Sequence, residues 1–333
     1  MKKLSHLFNL ARIYTNYCHR SVNCNYFPVR IWIELSNRCN LKCLFCVNRD
    51  LPVGEKGDMT LELYKKIIDE ISGKVYDINL FHRGEPLMNK NTVSMIAYAG
   101  KKGIKTRIHT NATMLNRKLS REIILAGLDL ISFSFDGYTK ETYEKNRSGA
   151  SFEESLANII EFLKIKKQLN SKKPYTAVQV IRNNKSLSTD EAAGQKKNFL
   201  KNFKNLPLDK LVTRAPHNWG GLLKIEGLNS TAAKNERVIP CTFPWYSMTI
   251  FYDGRVFLCP QDFEGKICLG DLNKSSIGEI FNGRRIKEIR KKFKRRIIDD
   301  MIPCKDCDRI RRKTFMNVPG EYLGIFLRDN LRD

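Results

Sequence analysis

The segment Arg30-Ile-Trp-Ile-Glu-Leu35-Ser-Asn-Arg-Cys39-Asn-Leu-Lys-Cys43-Leu-Phe-Cys46 joins a β-branched, aromatic run to three thiols within eight residues. Its first six residues read as a strand, because branched and aromatic side chains suit a pleated, half-buried surface. The thiols fall on the loop that leaves it. Runs of the same kind recur at 76–81, 106–110, 130–135, 176–181 and 210–213, separated by longer helical patterns. Tyr64, Ile67, Ile68 and Ile71 keep helical spacing, as do Phe152, Leu156, Ile159, Ile160 and Leu163, which marks both sets as core. Strand and helix alternating from residue 30 to about 215 predict an α/β fold of parallel βα units, closed into a barrel or left open. In either arrangement the loops past the strand C-termini form the reactive face.

Polar motifs collect on that face. Cys39 follows the first strand, Gly84-Glu85-Pro86 the second, Thr110-Asn111 the third and Asp136-Gly137 the fourth. His82 and His109 flank these motifs and read as packing or hydrogen-bonding residues. After residue 215 the pattern changes to Trp219-Gly220-Gly221, a polar stretch, and a cysteine-rich segment from Pro240-Cys241, which places a domain boundary there. Asp253-Gly254, between 250–252 and 256–258, signals a two-residue hairpin. The expected division is an N-terminal extension (1–29), a core (30–215), a linker (216–239), a small cysteine-rich domain (240–310) and a tail (311–333). Leu4, Leu7, Phe8 and Ala11 predict a surface or docking helix in the extension.

A chain of 333 residues with 42% hydrophobic content can bury a full core, so disorder is not the default. No stretch approaches the roughly 20 apolar residues of a spanning helix, and no secretory signal opens the chain. The expected location is the cytosol. In a reducing compartment, ten cysteines, of which all but Cys18 and Cys24 fall in two groups, point to metal or redox chemistry rather than disulfides. Fifty-nine basic against 35 acidic residues leave a charge of +24, which favours an anionic partner. The densest basic run, 284–296, carries Ile286, Ile289 and Phe293 as one apolar helix stripe under a solvated charged face.

Cys39, Cys43 and Cys46 are close enough to share a metal centre. Three thiolates leave the fourth iron of a cubane without a protein ligand, and a small chelating molecule can bind and react at that iron. Zinc also accepts thiolates in a tetrahedral site, and the cysteines alone leave that alternative open.

With aromatic Phe45 before the last thiol, the loop resembles the CxxxCx-aromatic-C motif of the radical S-adenosylmethionine (radical SAM) superfamily. The resemblance covers about 30–215 and implies a partial (β/α)6 TIM-like barrel with an open-site [4Fe-4S] cluster. In that family the cluster passes one electron to S-adenosylmethionine, and the resulting 5'-deoxyadenosyl radical abstracts a substrate hydrogen. Arg83-Gly84-Glu85-Pro86 is similar to the GGEP segment that receives the methionine amino group, with Arg83 in place of its first glycine. Ser134-Phe-Asp136-Gly137 resembles the SxDG segment, and Arg147 stands where the family has an arginine; together Ser134 and Arg147 would hold the methionine carboxylate. Asp136 reads as a turn residue before Gly137, with a catalytic role as the competing reading. Thr110-Asn111-Ala112 resembles the TNG turn, which would put Asn111 near the ribose, and a simple Asx turn is the competing reading.

Cys241, Cys259, Cys304 and Cys307 resemble the auxiliary-cluster region of the SPASM and twitch subgroup; no cysteine follows Cys307, so one second [4Fe-4S] cluster of the twitch form is implied. A zinc knot is the alternative. Cys268 is left over, as a buried, ligating or hydrogen-donating thiol, and Cys18 and Cys24 read as packing residues. Trp219 either packs the domain junction or lines a pocket.

The resemblance implies an oxidoreductase-like enzyme with a reductant such as flavodoxin or ferredoxin. The subgroup includes alcohol dehydrogenases, sugar epimerases and peptide maturases. The cluster loop begins at residue 39, which leaves no room upstream for a leader-peptide-binding module and favours a carbohydrate-like alcohol or other small or conjugated, anionic metabolite. A maturase acting with a separate recognition partner is the alternative. A nucleic-acid-binding protein is disfavoured, because no RNA-binding signature accompanies the charge, and a non-catalytic zinc protein is the reading from another class. If the basic surplus recruits the substrate, turnover falls as salt is raised; a salt-insensitive rate would rule that out.

Overall fold

The computed structural model describes residues 3–181, 189–224, 240–311 and the pairs 314–315 and 318–319. Helix α1 (Lys3–Cys18) precedes β1 (Arg30–Ile33) and the short β2 (Lys42–Cys43). There follow α2 (Leu61–Ile71), β3 (Asp77–Asn79), α3 (Thr92–Lys101), β4 (Lys105–Thr110), α4 (Arg117–Leu125) and β5 (Leu130–Ser134). Next come α5 (Lys140–Asn146), the short β6 (Arg147–Ser148), α6 (Phe152–Gln168), β7 (Tyr175–Ile181), α7 (Thr189–Lys201) and β8 (Lys210–Arg214). The C-terminal part supplies α8 (Phe243–Tyr246), β9 (Ser247–Ile250), β10 (Arg255–Phe257), β11 (Cys268–Asp271), α9 (Ile277–Asn282) and α10 (Arg284–Arg295).

All six expected strands are present, and they pair in chain order as β1-β3-β4-β5-β7-β8, each ladder parallel. This is a partial (β/α)6 barrel. On the other side of β1, β9 adds in parallel, and β10 and β11 follow antiparallel, so the C-terminal part continues the same nine-stranded sheet. Most of the expected linker (225–239) and of the expected tail lies outside the described residues.

Alternation divides the barrel strands between two faces. Ile31, Ile33, Ile78, Ile108, Phe133 and Val178 are fully buried. They pack with the helical stripe Tyr64, Ile67, Ile68 and Ile71 in one core. In-register pairs of the opposite parity, Asn79 with Arg107, His109 with Ser132 and Ser134 with Gln179, share the concave face. Helices α2, α4 and α6 start on side-chain caps: Thr60 accepts from Leu63 N, Asn116 from Leu119 N and Ser151 from Glu154 N. Each satisfies a backbone donor that the first turn leaves free.

Three expectations change in detail. The loop between β9 and β10 is Phe251–Gly254, wider than a two-residue turn. Tyr252 N is drawn away to Glu34 Oε1 at 3.3 Å, and Gly254 supplies the left-handed φ of +92° that closes the loop. Helix α1 forms, but its buried face is His6, Ile13 and Tyr17, while Phe8 is 72% exposed and Ala11 is exposed too. Docking decides this, because the Tyr17 hydroxyl donates to Pro240 O at 2.7 Å and its ring meets Trp245 edge-on at 5.5 Å.

The third change is in the basic helix. Ile286, Ile289 and Phe293 are buried as expected, but Arg290 leaves the charged face and is 0% exposed. Its guanidinium donates to Pro244 O at 3.0 Å, Val22 O at 3.2 Å and Phe281 O at 3.1 Å, and lies over the Phe281 ring. Replacing Arg290 with Met would leave those carbonyls unpaired, for an expected loss of about 2–5 kcal/mol. Urea denaturation reads this directly, with Lys291→Met as the exposed control changing stability by less than about 0.5 kcal/mol.

Candidate active site at the ends of the parallel strands

Cys39 lies on the loop after β1, Cys43 ends β2, and Cys46 caps the turn Val47–Asp50, its Sγ accepting from Asn48 N at 3.4 Å. Strand β2 pairs antiparallel with β6, which sets Cys43 directly opposite Arg147. All three thiols are free and half-buried. Burial pushes Cys39 up to about 11, with the carboxylate of Glu85 and the neighbouring Cys43 adding to the rise. Burial likewise pushes Cys46 up to about 12, and Cys43 and Cys39 raise it further. The three therefore occupy one electrostatic locale. Among the described residues no three cysteine, histidine or carboxylate groups crowd into a single-ion site.

Arg147 is the polar centre of the site. Its Nη2 pairs with Asp136 Oδ2 at 2.8 Å and its Nη1 points at Cys43 Sγ at 3.8 Å. Burial opposes its charge, but Asp136 and Cys43 outweigh burial and raise its pKa. Its Nε is buried without a hydrogen-bond partner. A buried donor left open costs about 1–3 kcal/mol, which an incoming carboxylate would recover. Asp136, expected as a turn residue, is instead the arginine's counter-ion, and its Oδ1 also accepts from Ile181 N at 2.9 Å. Ser134 closes β5 beside Gln179.

Glu85 is held from three sides. Its carboxylate accepts from Leu87 N at 3.0 Å, Thr110 Oγ1 at 2.8 Å and Asn111 N at 2.7 Å. Burial nevertheless raises its pKa. A carboxylate offers about four lone-pair directions, which leaves one for a ligand. Pro86 opens the turn Pro86–Met88 behind it. A Cβ on Gly84 would lie 2.4 Å from both Ser36 O and Arg38 O, so only glycine lets this loop press against the cysteine loop. Asn111 makes the Asx turn, with Oδ1 accepting from Thr113 N at 3.0 Å, and also faces the cysteines, with Nδ2 at 2.9 Å from Asn40 Oδ1 and 4.0 Å from Cys39 Sγ. Ala112 has a left-handed φ of +64°, which explains why glycine suits that position.

The second group also converges. Cys241, Cys259, Cys304 and Cys307 line one apolar cavity with Phe243, Leu258 and Pro303. Burial raises the pKa of Cys259 and of Cys304, and in both Cys241 and Cys307 push the same way. Cys268 is absent from the cavity lining and points its thiol at Gly270 O, 3.6 Å away. Cys24 is buried in the main core.

Residues 33–170 match the radical SAM superfamily and residues 241–308 match an iron-sulfur cluster-binding domain, together well over half of the chain. The chain belongs to the radical SAM superfamily. Membership brings a [4Fe-4S] cluster and S-adenosylmethionine, and the second domain brings an auxiliary iron-sulfur cluster. Fe-coproporphyrin III synthase of Methanosarcina barkeri is 33% identical over 120 residues, covering 36% of this chain. That stretch spans only 30% of the relative's own length. Among solved structures, BtrN in complex with AdoMet and 2-DOIA superposes with a TM-score of 0.56 at 19% identity, covering 85% of this chain and 94% of its own. SuiB of Streptococcus suis bound to the precursor peptide SuiA gives 0.61 at 14% identity, covering 92% and 75%. Both likenesses concern the fold. Among the described residues no helix of this radical SAM chain is long and apolar enough to cross a membrane.

One network escaped the sequence reading. Glu34, fully buried, forms a bidentate pair with Arg83, Oε2 to Nε at 2.7 Å and Oε1 to Nη2 at 2.8 Å. Arg83 also donates to Phe263 O at 3.3 Å and stacks on Phe251, 3.5 Å from the ring centroid. His82 spans Glu34 Oε2 at 3.3 Å and Pro260 O at 2.9 Å. The signal available in sequence was the departure itself, an arginine where the family motif has glycine. Burial alone would raise the pKa of Glu34, but Arg83 and His82 overcome it and hold the carboxylate near 2. A carboxylate lowered from 4.5 to about 2 contributes about 3 kcal/mol of stability above pH 4.5, lost as pH falls through 2. Glu34→Gln, which leaves the buried guanidinium without its charge partner, is expected to cost about 3–5 kcal/mol at pH 7. The gap between variant and parent should narrow at pH 3; a gap that stays constant with pH would show that the carboxylate charge is not what matters.

Proposed function

We propose that Cys39, Cys43 and Cys46 hold the open-site cluster, and that Arg147, with Ser134, takes the carboxylate of S-adenosylmethionine. Gly84 and Glu85 would receive its amino group, Pro86 would fix their turn, Phe45 would wall the cluster, and Asn111 would lie beside the ribose. Cys241, Cys259, Cys304 and Cys307 would hold the auxiliary cluster, in a unit spanning about 240–310 beside a core of about 30–215. The observation that carries this reading is the unpartnered buried Nε of Arg147, set opposite a cluster cysteine and oriented by Asp136.

When bound, the cluster supplies the electron that splits S-adenosylmethionine and releases a hydrogen-abstracting 5'-deoxyadenosyl radical. The chain's own task is to orient the sulfonium by its amino-acid end and to keep the concave face closed around the substrate. That face carries Asn79, Arg107, His109, Ser132 and Gln179. His109 stacks on Phe81 at 4.0 Å, and burial with the nearby charges of Arg214 and Arg107 lowers its pKa to about 3, so it stays neutral. A lining of neutral hydrogen-bonding groups, in which Arg107 is already paired with Asp77, supports oxidation or epimerisation of a small hydroxyl-bearing substrate, with a flavodoxin-like or ferredoxin-like reductant, in the cytosol.

Anaerobic reconstitution, reduction and addition of S-adenosylmethionine should yield 5'-deoxyadenosine, and Cys43→Ala should abolish it. Persistence of cleavage in that variant would overturn the assignment. Arg147→Lys, which removes the planar fork while keeping the charge, should raise KM for S-adenosylmethionine about tenfold or more, as expected for losing a charge-assisted hydrogen bond. An unchanged KM would remove Arg147 from the carboxylate site.

A further inference from the structure

Residues 217–221, His-Asn-Trp-Gly-Gly, follow β8 and reach the segments that carry both cysteine groups. Trp219 Nε1 donates to Phe45 O at 3.0 Å, and Asn218 Nδ2 donates to Asp306 O at 2.8 Å. Phe45 immediately precedes Cys46, and Asp306 immediately precedes Cys307. Two adjacent side chains thus hold the carbonyl just before the last cysteine of each group.

The backbone beneath them is pressed into place. Trp219, Gly220 and Gly221 have left-handed φ values of 50°, 66° and 95°. For a bulky residue that conformation costs roughly 1–2 kcal/mol and persists only where the surroundings fix it. The surroundings do so from both sides. A Cβ on Gly220 would lie 2.3 Å from Pro303, and one on Gly221 would lie 2.7 Å from Asp306. On the other side the indole meets Phe263 edge-on at 5.2 Å, within an apolar cluster of Phe45, Val47, Leu223 and Phe263. Indole packing alone would not require the Trp219 N–H to meet Phe45 O, nor its neighbour to meet the matching carbonyl of the other group.

We infer that Asn218 and Trp219 are positioning residues that couple the two cysteine sites, so that filling the second site sets the backbone geometry around Cys46 in the first. The inference rests on the proposal that both groups hold clusters. Hydrogen bonding and peptide orientation around ligating sulfurs tune cluster potentials, so the coupling should be visible in the first cluster's reduction. No electron need pass between the sites for this to hold.

The test is a double-mutant cycle on reconstituted full-length protein, reading the midpoint potential and paramagnetic spectrum of the first cluster with S-adenosylmethionine present. Emptying the second site by Cys304→Ser with Cys307→Ser should change the first cluster's reduction equilibrium at least threefold, about 28 mV for one electron. In a Trp219→Phe background, which keeps an aromatic ring but loses the N–H, the same change should shrink to less than about 1.5-fold. An undiminished shift would overturn the coupling. Should the double serine variant fail to fold, Trp219→Phe alone in the fully loaded protein must alter the first cluster's spectrum and leave the auxiliary cluster's unchanged. Identical first-cluster spectra would overturn it equally. Iron and sulfide analysis of the unsubstituted protein separates the two levels: less than two clusters' worth overturns the cluster assignment and the coupling with it, whereas two clusters with no spectral response overturn the coupling alone.

Discussion

The buried pair of Glu34 and Arg83 is the constraint on which the reactive face depends. Glu34 stands one residue past β1 and five before Cys39; Arg83 stands directly before Gly84 and Glu85. Their bidentate contact therefore fixes two site loops relative to each other, and the bonds to Tyr252 N and Phe263 O bring in the C-terminal part. Isolated buried charges are expensive, and a pair is worth keeping only when the remaining donors and acceptors are also met. Here His82, two backbone amides and a carbonyl meet them, and the Phe251 face takes the guanidinium plane.

The same logic orders the charges nearer the thiols. Asp136 and Arg147 neutralise each other, and the buried Glu85 is met by two backbone amides and the Thr110 hydroxyl. The short β2–β6 ladder is what makes this possible, because antiparallel pairing places residue 147 opposite residue 43 across a gap of about a hundred positions in sequence. On the proposed reading the Arg147 Nε and the remaining direction on Glu85 would take a carboxylate and an ammonium, the two ends of an amino acid.

Much of this architecture was legible in the sequence, and the parts that were not share a cause. Periodicity located the six parallel strands and the buried faces of α2 and α6, since each depends on local alternation against one core. Motif resemblance located the loops. Periodicity failed for α1, where the face is chosen by Tyr17 docking on Pro240 and Trp245, and for Arg290, whose three carbonyl partners come from separate segments. Arg83 as partner of Glu34 and Trp219 as donor to Phe45 are long-range pairings, and Asp136 meets Arg147 only because α5 turns the chain back between them. No local pattern encodes them; they exist only once the strands have brought distant loops together.

The parallel pairing of β9 with β1 also bears on the order in which the molecule matures. β1, which leads into the first thiol loop, has β3 as an early neighbour, but its other edge is covered only by residues 247–250, far later in the chain. Closing so long a loop is slow, and a strand edge awaiting its partner is open to mispairing in the meantime. During synthesis β1 therefore keeps an open edge until residues 247–250 have been made. The loop that carries Cys39 thus leaves a strand whose second neighbour comes from more than two hundred residues further along the sequence.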